Sequence, residues 1–376
     1  MEKSFSKQDT LGMKGIAILL MLAHHLFYAT EQYVNYWICY TENDEFNITV
    51  RIAMYAKMCV PMFVLLSGYG LTYAYERWLD KAKTTGSFVL DRWLSVYGGF
   101  AVVFALGIGA GLFLGRDLSS IYGEQSGAWL FFLLDGLGLS SLFHVPTANA
   151  TCWYMSFAFV QILAFPLLHR LVKAYGAAAL LLFLGMGYLG LGTYNVMLMS
   201  FSATGIYLAR VNGFGKMRSW SPFSHWIWNK LLKLALYGIG FWVAFTISEI
   251  FPETFDNDGV LSGTHFKHWG YGLFALVLML FSHEFIFPIK WVRAVFAFLG
   301  KHSANIFLFH TFFYAYFFTD FYYEWEEPEL IFAALLVTTL ATSVVLELLK
   351  KLCRYDRGVA RVRAWADGRL NGAQEK

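Results

Sequence analysis

Charge is scarce in this sequence: only 15% of its 376 residues are Asp, Glu, Lys or Arg. Soluble domains carry roughly 25%, so a water-exposed surface is excluded for most of the chain. Cysteine is also sparse. Cys39, Cys59, Cys152 and Cys353 stand far apart, without the spacing of a zinc site or a redox pair, which argues against a disulfide framework and against a resident metal. What fills the chain is apolar: 57% of residues are hydrophobic and 19% aromatic, as suits membrane spans with interfacial belts. The net charge of +3 does not point to nucleic acid, because the basic residues lie between hydrophobic segments. These proportions predict an all-α integral membrane protein.

A span needs about 20 apolar residues. Ten segments qualify, at about 11–29, 51–75, 93–115, 151–169, 174–193, 195–210, 231–251, 268–287, 294–319 and 329–349. No small-residue cleavage site follows the first, so it reads as a span rather than a removed signal. The stretch AWLFFLLDGLGLSSLF, 128–143, is broken by glycines and Asp135 and reads as a re-entrant or interfacial piece. With both termini in the cytoplasm, all 29 Lys and Arg except Arg51, Lys57, Arg116 and Lys267 fall on the cytoplasmic side, and the outer loops are acidic, as in DFYYEWEEPE at 320–329. The positive-inside rule therefore supports a bundle of about ten transmembrane helices with N- and C-termini cytoplasmic. On this reading residues 1–349 form the transmembrane domain and 350–376 a basic cytoplasmic tail.

Within the first span, KGIAILLMLAHHLF carries one cation and two histidines where lipid would favour none. Ionisable groups at such depth usually have a function. Lys14 and His25 are eleven residues apart, about 20° beyond three full turns, so they share a face roughly 16 Å apart along the axis. His24 points about 100° away. Lys14 either meets an anionic ligand or snorkels to headgroups. In KMCVPMFVLLSGYGLTYAY, Pro61 removes a backbone hydrogen bond, Ser67-Gly68 allows close helix approach, and Lys57 lies inside the outer boundary, where it either snorkels or lines an outer cavity. Arg92, with Arg77, Lys81 and Lys83 nearby in sequence, is either topogenic charge or a grip for phosphates. Trp153 and Tyr154 read either as belt residues or as a platform for a sugar. Ser303 and His310, seven residues apart, share a helix face within about 20°. Asp135, His144 and Glu249 read as interfacial.

Four segments together resemble the acyltransferase 3 family, bacterial multi-pass membrane proteins that move acyl groups, often acetyl, onto surface carbohydrates. KGIAILLMLAHH is similar to its first-helix pattern of a cation, ten residues, then histidine. VPMFVLLSGYGL resembles its Phe-rich Ser-Gly motif, CWYMSFAFVQILAFPLL its Trp-Tyr segment ending in Pro, and LGKHSANIFLFH its Gly-x-x-Ser…His motif. Three positions depart from the pattern. The first cation is Lys14 rather than arginine, Ala158 stands where a glutamate is common, and Ser95 replaces the second arginine of the basic motif at Arg92. Lysine lacks arginine's bidentate fork.

The resemblance implies a bacterial inner-membrane O-acyltransferase. Acyl-CoA, probed first as acetyl-CoA, would be a co-substrate rather than a bound cofactor, and Lys14 and Arg92 would meet its phosphates. His25 would act as base or acyl acceptor, a task for which a neutral imidazole near pH 7 is suited, with His310 and Ser303 as further catalytic candidates. His24, Lys57, Trp153 and Tyr154 would face a carbohydrate acceptor at the outer leaflet. The partners are then the donor, the acceptor and the bilayer, with no nucleic acid, and homo-oligomerisation is left open. The rival class is a proton-coupled transporter or glycan exporter using the buried Lys and His residues; the two halves show no convincing inverted repeat to favour it. A third class, a catalytically silent partner in a polysaccharide complex, is kept open by Ala158.

Overall fold

The structure is a computed structural model, and it describes residues 5–29, 33, 35–36, 48–188, 194–250 and 263–372. Cys39 and the ends of the segments expected at 174–193 and 231–251 lie outside the described residues. Among the described residues every regular element is helical: α1 (Lys7–Phe27), α2 (Ile48–Ala56), α3 (Cys59–Leu79), α4 (Thr85–Phe113), α5 (Leu118–Tyr122), α6 (Ala128–Gly136), α7 (Trp153–Tyr175), α8 (Ala178–Tyr188), α9 (Tyr194–Val211), α10 (Gly213–Ser219), α11 (Trp226–Ile250), α12 (Gly263–Phe281), α13 (Lys290–Thr311), α14 (Thr319–Tyr323), α15 (Pro328–Leu352) and α16 (Tyr355–Gly372). π-Helical turns follow α12, at Ser282–Ile286, and α13, at Phe312–Phe317.

Among the described residues, seven helical segments are long and apolar enough to cross a membrane: Lys7–Phe27, Ile48–Leu79, Thr85–Phe113, Ala150–Tyr175, Trp226–Ile250, Lys267–Ile286 and Pro328–Leu352. The other three expected spans correspond to α8, only 11 residues long, α9, and the cation-bearing α13. Large apolar side chains are exposed on the long helices, such as Leu163, Leu167, Trp242 and Val337, as contact with lipid favours. The segment at 128–143 contains only the nine-residue α6 and turns, with Trp129 and Leu133 exposed.

Two compact units divide the chain. The first comprises Met1–His24, Met54–Ala74 and Leu167–Lys301, and the second His25–Ala53, Tyr75–Pro166 and His302–Lys376. In the first, α1 opens with a capping box: Asp9 N–H donates to Ser6 Oγ (3.1 Å) while Ser6 N–H donates to Asp9 Oδ2 (2.8 Å). Glycines then let helices touch. A Cβ on Gly15 would lie 1.9 Å from the Phe296 carbonyl oxygen, and one on Gly300 1.8 Å from that of Leu11, so alanine at either would force α1 and α13 apart. The expected single helix through Pro61 is interrupted at Lys57–Met58 instead. Pro61 falls in the first turn of α3, where its missing N–H costs little.

In the second unit an apolar core gathers Phe100 and Phe104 of α4, Met155 and Phe159 of α7, and Leu308 and Phe309 of α13. The residues expected as a tail form α16, packed along α4. Arg363 of α16 grips the buried Asp91 with two hydrogen bonds, Nε to Oδ1 at 2.7 Å and Nη2 to Oδ2 at 2.9 Å. The Tyr355 hydroxyl donates to the Gly98 carbonyl at 2.9 Å, and Lys83 pairs with Asp367.

Candidate functional site

The second unit gathers a chain of neutral polar groups around two histidines. The ring of His25 in α1 meets that of His310, at 4.9 Å between centroids and a tilt of 55°. His25 is half-buried, and His24 and His310 are buried. The Nδ1 of His310 lies 2.5 Å from the carbonyl of Phe307. A carbonyl can only accept, so Nδ1 carries the proton, and Nε2 of the neutral ring accepts from the Thr311 hydroxyl at 3.1 Å. His310 is thereby fixed in orientation and tautomer, with the π-helical turn beginning two residues later.

The wiring continues outward. Thr151 Oγ1 lies 3.0 Å from Thr311 Oγ1 and 2.7 Å from Asn149 Oδ1, with one proton to share between them. Asn149 caps the start of the helical segment that runs into α7, accepting from the Thr151 N–H at 3.1 Å, and its Nδ2 donates to the Leu308 carbonyl at 3.3 Å. The loop before it hangs on Asp135. That buried carboxylate accepts from the Tyr122 hydroxyl at 2.8 Å, Thr147 Oγ1 at 2.7 Å and the Ala148 N–H at 2.7 Å. Burial, and then the charge on Asp135, hold the Tyr122 phenol well above its ordinary pKa. Asp135 is thus a structural anchor for the loop that carries Asn149.

Aromatic rings complete the surroundings. Trp153 and Tyr154, both half-buried at the start of α7, meet edge to face with centroids 5.7 Å apart. Tyr154 packs on Phe307 at 5.5 Å, and Phe307 on His310 at 5.9 Å, so one ring joins the expected platform to the histidine pair. On the other side, Tyr323 donates to the Leu26 carbonyl (3.0 Å) and Tyr33 to that of Phe27 (2.9 Å). These satisfy two terminal carbonyls of α1 immediately beyond His25. Tyr36, whose ring lies tilted against Tyr323, hydrogen-bonds Asp320, and that bond pushes its phenol up to about 12.

The other expected residues stand on further parts of the fold. Ser303 is buried on α13, but two turns from His310, roughly 10 Å along the axis. Arg92 bonds the neighbouring Asp91 at 2.6 Å, the carboxylate also held by Arg363. Lys14 and Lys57 belong to the first unit. Lys14 is half-buried in α1 with no carboxylate paired to it among the described residues, and Lys57 occupies the turn between α2 and α3.

Sequence reading missed Thr311, Thr151, Asn149, Phe307 and Tyr323. Only Asn149 carried a local signal, an Asn two residues before a Thr at a helix start. It also missed a polar ladder between α13 and α15. There His302 Nδ1 lies 2.9 Å from Ser343 Oγ, and Asn305 Nδ2 donates to Ser343 Oγ (3.0 Å) and to Glu347 Oε1 (2.8 Å).

The acyltransferase-domain family matches residues 12–348, nearly the whole chain, and so takes in every member of the histidine cluster. The chain belongs to the acyltransferase 3 family. No curated protein and no solved structure shows a match to it. Family membership and the apolar helices together make it a multi-pass membrane protein of acyltransferase type. No cluster of three or more His, Cys, Asp or Glu suited to a metal occurs among the described residues.

Proposed function

We propose that the protein is a membrane O-acyltransferase that moves an acyl group, acetyl in the simplest case, from acyl-CoA to a hydroxyl of a surface or exported carbohydrate. The observation that carries this reading is the His25–His310 ring pair, with His310 locked by Phe307 and Thr311. With His310 committed at both nitrogens, His25 is the base and His310 its positioning residue. His25 takes the proton of the acceptor hydroxyl as that oxygen attacks the thioester carbonyl. The carbon–sulfur bond then breaks, and the proton passes to the departing CoA thiolate. Within the same reading, Trp153 and Tyr154 face the sugar, with His24 and Lys57 as further acceptor contacts. Lys14 and Arg92 meet the donor's phosphates, and Ser303 serves as an auxiliary hydroxyl. The bundle has about ten spans with both termini cytoplasmic, in a bacterial inner membrane.

The test is CoA release by purified protein in nanodiscs, with acetyl-CoA and longer acyl-CoAs against a panel of carbohydrate acceptors. The expected result is release that depends on one acceptor class, with the ester recovered on a sugar oxygen. Absence of CoA binding and release with every donor would overturn the reading and return the proton-coupled carrier as the better account.

A further inference from the structure

A cleft of about 340 Å³ opens in the first unit between the start of α1 and the first three turns of α13. Its α13 wall carries Lys290, Arg293 and Lys301 at spacings of three and eight residues, a single stripe roughly 16 Å long. The cations exceed their counter-charge. Among the described residues Asp9 is the carboxylate paired to this stripe, at 3.3 Å from Arg293 Nη1, and its other oxygen is tied up by Ser6 at 2.7 and 2.8 Å. Lys290 and Lys301 are exposed and form no ion pair among the described residues.

The surface beside these cations is apolar, and much of it is exposed. Leu11, Ala297 and Phe298 line the cleft, and Trp291, Val295 and Phe298 run alongside with exposures of 72%, 54% and 49%. Tryptophan at such a position marks the headgroup level of a bilayer. A soluble anion would use the cations and leave this strip bare. An anionic amphiphile uses both.

We infer that this cleft binds an anionic phospholipid, its phosphate among Lys290, Arg293 and Lys301 and its acyl chains against Phe298 and Val295. Basic pockets between membrane helices take such headgroups by charge complementarity, and each added cation strengthens the grip. This site stands independently of the acyl-transfer reading, since it uses none of that reading's residues.

The experiment is native mass spectrometry of the full-length protein exchanged against phosphatidylglycerol or phosphatidylcholine. Wild type is compared with the Lys290→Gln/Lys301→Gln double variant, and melting in phosphatidylcholine checks folding. Arg293 is left in place because it pairs with Asp9. The expected result is a preference of wild type for phosphatidylglycerol that falls on the order of tenfold in the variant, with unchanged melting. Equal binding of both lipids by wild type, or a preference that survives the double substitution, would overturn the proposal. A third arm adds acetyl-CoA or inorganic phosphate. Displacement of the bound phosphatidylglycerol by either would assign the cleft to a soluble phosphate and likewise overturn it.

Discussion

Both π-helical turns lie against a buried histidine, one in each unit, and the two histidines live in different surroundings. His310, just before Phe312–Phe317, uses both ring nitrogens in hydrogen bonds, to Phe307 and Thr311. His283, inside Ser282–Ile286, has neither nitrogen bonded among the described residues, and neither is Ser282 Oγ. Aromatic rings enclose it instead, Phe5 at 5.1 Å and Phe214 at 6.0 Å. The next residue, Glu284, is ionic: it pairs with Lys230 and, at 3.2 Å, with the buried Lys233. One region is thus wired by neutral groups that fix a tautomer. The other combines an ion-pair knot with a histidine held by packing. A buried histidine in an apolar helix is therefore not a site by itself; its hydrogen-bond partners distinguish the two.

The largest effect that would break this comparison is Glu284→Ala. Removing one partner leaves Lys233 buried and uncompensated, a loss of about 3–5 kcal/mol, read as a large fall in melting temperature in detergent. Substituting both histidines with phenylalanine sharpens the contrast directly. His310→Phe removes the hydrogen bonds to the Thr311 hydroxyl and the Phe307 carbonyl and costs about 1–3 kcal/mol. His283→Phe breaks no bond, so its melting temperature should match or exceed that of wild type. Equal losses at the two positions would dissolve the distinction.

Asn149→Ala removes a helix cap and the tie to Leu308, for about 1 kcal/mol. Because it also loosens Thr151 and Thr311, the expected signature is a fall in kcat with a smaller change in KM. The smallest effect concerns Tyr36. Its phenol is raised to about 12 in the fold, above the ordinary value of about 10. Its contribution to stability is therefore full below pH 10 and is lost as the pH rises through 12. Tyr36→Phe should flatten that alkaline loss, measured by melting between pH 9 and 12.

Much of this was legible along single helices. The phase of α1 from Lys14 to His25 set His25 apart from His24, and in the fold His25 has a ring contact with His310. Glycine and aspartate within 128–143 marked a piece too broken to span, and α6 is nine residues long. What periodicity could not carry is pairing between distant segments. Thr311 and Thr151 meet across 160 positions, and Tyr323 reaches Leu26 across 297. The break at Lys57 was hidden because the apolar run continues through it, and Pro61 drew attention to the wrong turn.

The central claim is that His25, oriented by a locked His310, does the chemistry. Its most direct test is acyl-CoA turnover by His25→Ala in nanodiscs beside wild type, with melting temperature measured on the same samples. The account predicts a fall of at least about 100-fold with melting unchanged. Turnover within a few-fold of wild type would contradict it and place the reactive group elsewhere in the molecule.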